Sequence, residues 1–175
     1  MALEQGLKKS INRIADLVRM MYNVEIPIEN VDEVVERIGG IVIESDVLSE
    51  YSDGFIRKVD DDSFEIVVSS SQPSVRKNFT IAHELGHLFL HMGFLSDSNE
   101  WERQTNIFFR KGNSHEENMA NEFAAAFLMP REEYKEIMDK YTKGNFVDTK
   151  KIARYFNVSE NAAANRGKWL GYLEW

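Results

Sequence analysis

Phe79-Thr80-Ile81-Ala82-His83-Glu84-Leu85-Gly86-His87 is the stretch on which the reading of this chain turns. It contains an H-E-x-x-H pattern inside a run, Phe79 to His91, whose apolar spacing is helical. Residues four apart on a helix share a face about one turn apart, so His83 and His87 can reach a single ion. Glu84 projects beside that ion, where its carboxylate can take a proton from water. Neutral imidazoles suit zinc, and a catalytic zinc keeps three protein ligands and one open position. The competing reading is a chance match on an amphipathic core helix.

Two histidines leave a third ligand to find. His91 lies eight residues beyond His83, ~12 Å along a straight helix, too far to share the ion. It reads instead as a residue that supports a ligand or closes the helix end. His115, Glu116 and Glu117 cluster at the start of the next long helix. Glu117 is favoured because it shares a face with Asn121, four residues on, and an amide there can hydrogen-bond a ligand from behind. Against this, Ser114-x-x-Glu117 is a capping box, in which Glu117 would only bond the helix start. Spacing alone leaves the two readings open.

The stretch from Phe79 to His87, together with Glu117-x-x-Ala120-Asn121-x-Phe123-Ala124-Ala125-x-Phe127-Leu128-Met129-Pro130, resembles the two signatures of the ImmA/IrrE family of zinc metallopeptidases. Ile152-Ala153-x-x-Phe156-x-Val158-Ser159 and Leu170-Gly171 are similar to that family's closing helices, so the resemblance covers roughly residues 60–172. Phe127 stands where Leu is usual and Met119 where an acidic residue is frequent. The resemblance implies an α+β, zincin-like fold: a small β-sheet over an active-site helix, with the third ligand on the following helix. It implies His83, His87 and Glu117 as metal ligands, Glu84 as general base, and a helix-turn-helix repressor as protein substrate. Members are often linked to mobile elements or stress responses.

Outward from the motif, Leu3, Leu7, Ile11, Ile14, Val18 and Met21 predict a helix over residues 3–22. A short second helix starts at the capping pattern Asn30/Glu33 and stops at Gly39-Gly40. Ile41–Glu44, Phe55–Val59 and Phe64–Ser69 read as three strands in a meander, and Ser69–Asn78 as a loop. Residues 93–113 show no period; their Trp101, Phe108 and Phe109 read as cover for a thin core. Helices are expected over 114–129, stopped by Pro130, and over 131–140, 148–156 and 159–170. The division expected is a zincin-like domain, 1–140, and a helical extension packed on it, 141–175.

Composition narrows the function. The net charge of −8 lacks the basic footprint of a nucleic-acid binder, although residues 140–169 hold seven Lys or Arg against two acids, a local +5. A helix-turn-helix is hinted at Asn157-Val158-Ser159, but Glu160-Asn161-Ala162-Ala163-Ala164 offers little to read bases. Direct DNA binding is therefore the weakest reading, and a packing helix pair the better one. The chain has no cysteine, which excludes thiolate metal sites and suits a reducing cytoplasm. Charges interrupt the N-terminal segment, so it reads as no signal peptide, and the longest apolar run, Phe123–Met129, is far short of the ~20 residues that span a bilayer.

The function expected is thus zinc-dependent, site-specific peptide hydrolysis in the cytoplasm. The alternative is a metal-bearing module that regulates a transcription factor by contact, without cleavage. Tyr51, Arg76, His115, Tyr134 and Tyr141 are the candidates for stabilising an oxyanion, and Phe64–Ser69 is a candidate edge strand for an extended substrate.

Overall fold

The computed structural model describes residues 3–48, 53–104 and 114–174. The first helix, α1 (Gln5–Met21), buries Ile11, Ala15 and Val18, with the Ile and Val side chains worth about 1.5–3 kcal/mol each. In α2 (Val31–Ile38) the Asn30 side chain accepts the Asp32 N–H at 3.1 Å, and Gly39 ends the helix in the left-handed region, φ 109°.

Three strands follow: β1 (Gly40–Ser45), β2 (Gly54–Asp60) and β3 (Ser63–Ser69). Their order is β1-β3-β2, with β1 parallel and β2 antiparallel to β3. This corrects the meander. The sequence of β3 carries the reason: Phe64, Ile66, Val67 and Val68 are all buried, and a strand covered on both faces takes the centre of a sheet. A central strand has no free edge, so Phe64–Ser69 cannot add a substrate strand. Among the described residues the edges belong to β1 and β2, and β2 packs on the helix that follows β3.

That helix, α3 (Ser74–Leu90), starts five residues before the predicted Phe79. Pro73 sits at its N-cap with φ −57°, and the Pro73 carbonyl accepts the Arg76 and Lys77 N–H groups. The opening turn is polar, so it shows no apolar period. A short α4 (Ser98–Arg103), capped by Asp97, lies within the unpatterned segment. Its Trp101 is buried and packs edge-on against Phe94, ring centres 5.0 Å apart, as core cover. Phe108, Phe109, Tyr51 and the Ser114 side chain lie outside the described residues.

The remaining helices are α5 (Ser114–Leu128), α6 (Arg131–Lys140), α7 (Thr149–Tyr155) and α8 (Glu160–Trp169). Between α6 and α7 a hairpin of β4 (Thr142–Lys143) and β5 (Phe146–Val147) was not foreseen. Ser159 caps α8 through the Ala162 N–H, and Ile152, Ala153, Phe156, Val158 and Ala163 make α7 and α8 a packed pair. Arg166 of α8 is 2% exposed. It donates to Met129 O at 3.0 Å, Glu122 Oε1 at 3.1 Å and Asn12 Oδ1 at 2.8 Å, which ties α8 to α5 and α1. Among the described residues no helix is long and apolar enough to cross a membrane.

Candidate metal centre

Helix α3 runs through the interior, and every residue from Thr80 to Leu88 is buried. The motif thus lies in a buried stretch between the sheet and α5. Gly86 eases that close crossing. A Cβ there would lie 3.0 Å from both Cα and O of Ala120, so a larger residue between the two histidines would push α5 outward by a few tenths of an ångström. The sequence carried this signal without its partner being visible.

The approach brings Glu117 to the histidines. His83 Nε2 and His87 Nε2 are 3.1 Å apart, Glu117 Oε2 is 3.3 Å from the first, and Glu117 Oε1 is 3.3 Å from the second. His83 and His87 are buried, while the Glu117 side chain keeps 27% exposure, leaving the triangle one open side. Donors at zinc's usual ~2.0–2.1 Å in a tetrahedron stand about 3.3 Å apart. The three donors therefore match one face of such a tetrahedron, and two imidazoles with one carboxylate are a donor set zinc accepts. Among the described residues this is the one group of three His, Asp or Glu that converges so.

Behind the triangle, His83 Nδ1 lies 2.9 Å from Asn121 Oδ1. An amide oxygen only accepts, so the ring proton sits on Nδ1 and the Nε2 lone pair faces the triangle. His87 Nδ1 lies 3.0 Å from His91 Nδ1. Burial pushes the His91 pKa below its ordinary value, with Glu116 and Glu117 opposing and His83 and His115 reinforcing the shift. Glu84, between the ligand-type residues, is 1% exposed.

The oxyanion candidates separate. Tyr134 is spent in the core, its hydroxyl donating to Ala163 O at 2.7 Å. Arg76 is exposed and paired with Asp53 at the start of α3. Tyr141 closes α6 beside the hairpin. His115 is exposed on α5, two residues before Glu117.

A small mixed sheet over a buried helix makes an α+β scaffold on which two histidines and a glutamate converge in a group that could hold a metal ion. The family follows from the comparisons. A family model for the peptidase M78 group, described as the IrrE N-terminal-like domain, matches residues 35–168, and the chain belongs to that family. No curated protein matches. Among solved structures, a Mycobacterium tuberculosis transcriptional regulator is similar at a TM-score of 0.60 and 18% identity, over 90% of this chain and 46% of that one. The chain spans less than half of that protein's length, and the likeness is one of fold.

Proposed function

We propose that this chain is a zinc-dependent, zincin-like metalloendopeptidase that cuts a helix-turn-helix repressor at one or a few bonds. The observation that carries the reading is the triangle of His83, His87 and Glu117, whose 3.1–3.3 Å edges fit a tetrahedral zinc. Membership of a peptidase family supports the reaction class.

Held by His83, His87 and Glu117, zinc would supply a Lewis acid able to polarise a peptide carbonyl and to lower the pKa of water to ~7. Glu84 takes the proton from the attacking water and gives it to the leaving amine, so the C–N bond breaks to yield a carboxylate and an amine. Its burial keeps that proton from bulk solvent. Asn121 holds His83 in the ligating tautomer. The outer edge of β2, the strand packed on α3, receives an extended substrate segment by main-chain pairing. His115 assists the oxyanion from the exposed side of α5. A regulatory substrate is supported by the family resemblance, and the fold likeness to a transcriptional regulator accords with it.

The test uses zinc-loaded protein, its Glu84→Gln variant, a purified helix-turn-helix repressor from the same genome, and casein, all followed by mass spectrometry. Wild type should cut the repressor at discrete bonds and leave casein largely intact. Glu84→Gln should keep its zinc and lose 10²–10⁴ in rate, the usual worth of a general base, estimated as about that range. Rapid casein digestion would overturn the specificity. An intact repressor held in a tight complex would replace cleavage with regulation by contact.

A further inference from the structure

The His87 ring is engaged on both sides. Its Nε2 enters the triangle, 3.1 Å from His83 Nε2 and 3.3 Å from a Glu117 oxygen, while its Nδ1 lies 3.0 Å from His91 Nδ1. The two rings are 5.0 Å apart and tilted by 49°. His91 is also the C-cap of α3, and its backbone N–H donates to His87 O at 2.9 Å. Both its ring and its backbone therefore meet the same residue.

A neutral imidazole has one N–H and one bare nitrogen. For His87 to offer its Nε2 lone pair to an ion, its proton must be on Nδ1. The facing Nδ1 of His91 must then be bare, with the His91 proton on Nε2. That Nε2 is buried and has no hydrogen-bond partner among the described residues. Buried polar atoms are rarely left so, and each asks for a reason. Leucine or phenylalanine would fill the same space without an orphaned nitrogen. What neither could do is accept the His87 proton.

We propose that His91 is a positioning residue of the metal centre: its Nδ1 accepts the His87 Nδ1–H, fixing that ring's tautomer and aiming its Nε2 at the ion. The inference rests on the zinc reading above and adds a residue to it. It completes a symmetry with Asn121, which performs the same task for His83 through an amide oxygen. Neither acceptor is a carboxylate, so neither adds charge to its histidine.

Two substitutions separate positioning from packing. His91→Leu fills the site without an acceptor, and His91→Asn puts an amide oxygen close to where Nδ1 stood. Zinc affinity is measured by chelator competition, ligand geometry by the visible spectrum of the cobalt-substituted protein, and fold by the metal-free unfolding midpoint. His91→Leu should lose about 10–100-fold in zinc affinity, the usual effect of removing such a partner, and alter the cobalt spectrum. His91→Asn should bind within a few-fold of wild type. In the zinc-loaded wild type labelled with ¹⁵N-histidine, long-range NMR should show the proton on Nδ1 of His87 and on Nε2 of His91. Wild-type affinity in His91→Leu, equal losses in both variants, or a proton on His91 Nδ1 would each overturn the proposal. If His91→Leu does not fold, the tautomer measurement decides alone. A wild type that binds no zinc would sink the metal reading itself, and this inference with it. Normal zinc binding with an indifferent His91 would sink only this inference.

Discussion

Replacing Arg166 with Met removes a guanidinium that is 2% exposed and satisfies three acceptors on two other helices and a helix end. Methionine refills much of the volume, so the main consequence is electrostatic. The Glu122 carboxylate, 10% exposed, keeps the Asn12 amide at 2.6 Å but loses its cation, and Met129 O loses its donor. Breaking one side of a buried ion pair costs about 3–5 kcal/mol. For a chain of this size each kcal/mol moves Tm by ~2–4 °C, so Tm should fall by about 10 °C. Glu122→Gln alone should also destabilise, by stranding Arg166. The double variant should recover part of the loss, because it strands no charge. Urea unfolding of the two single variants and the double at pH 7 measures this directly. Additivity within about 0.5 kcal/mol would refute the reasoning, since it would mean the two residues do not interact.

Two further outcomes follow from single contacts. Gly86→Ala should destabilise by about 1–3 kcal/mol by overpacking, because its methyl meets Ala120 backbone at 3.0 Å. It should also weaken zinc binding by moving Glu117 away, and unchanged affinity by chelator competition would show that the crossing does not set the triangle. Tyr134→Phe should cost about 1 kcal/mol at pH 7, the worth of a typical hydrogen bond. Burial raises the Tyr134 pKa from 10.0 to about 12. The folded state therefore holds a proton that the unfolded chain releases first, and wild-type stability should fall as pH rises from 10 towards 12. The advantage over Tyr134→Phe should shrink across that window. Parallel stability curves for the two proteins would contradict it.

How far the sequence could be read depended on whether a feature is local. The helical placement of His83 and His87, the caps at Asn30 and Ser159, and the stop at Pro130 are set by neighbours within a turn, and all were legible. The sheet order was not. β1 pairs directly and in parallel with β3, skipping β2, which lies between them only in sequence, and no local pattern encodes which distant strand is the partner. The buried run in β3 was visible, but its meaning as a central strand emerges only when both faces are covered. The early start of α3 was masked because Val75 to Asn78 show no apolar period, although Pro73 was in place to begin a helix. At the site, spacing brought Asn121 to the face of Glu117, yet left Glu117 balanced against a cap. What brings its carboxylate to the histidines is the α3–α5 crossing at Gly86 and Ala120, a contact 34 positions apart in the chain.

The central claim is that His83, His87 and Glu117 hold one zinc. It is tested most directly by zinc content and affinity in the wild type, the His83→Ala/His87→Ala double variant, Glu117→Ala and His115→Ala, measured by elemental analysis after equilibrium dialysis. One equivalent should remain in the wild type and in His115→Ala. The double variant should hold none, and Glu117→Ala should bind far more weakly. A full equivalent retained by the double variant would contradict the site. Wild-type affinity in Glu117→Ala with loss in His115→Ala would move the third ligand to His115.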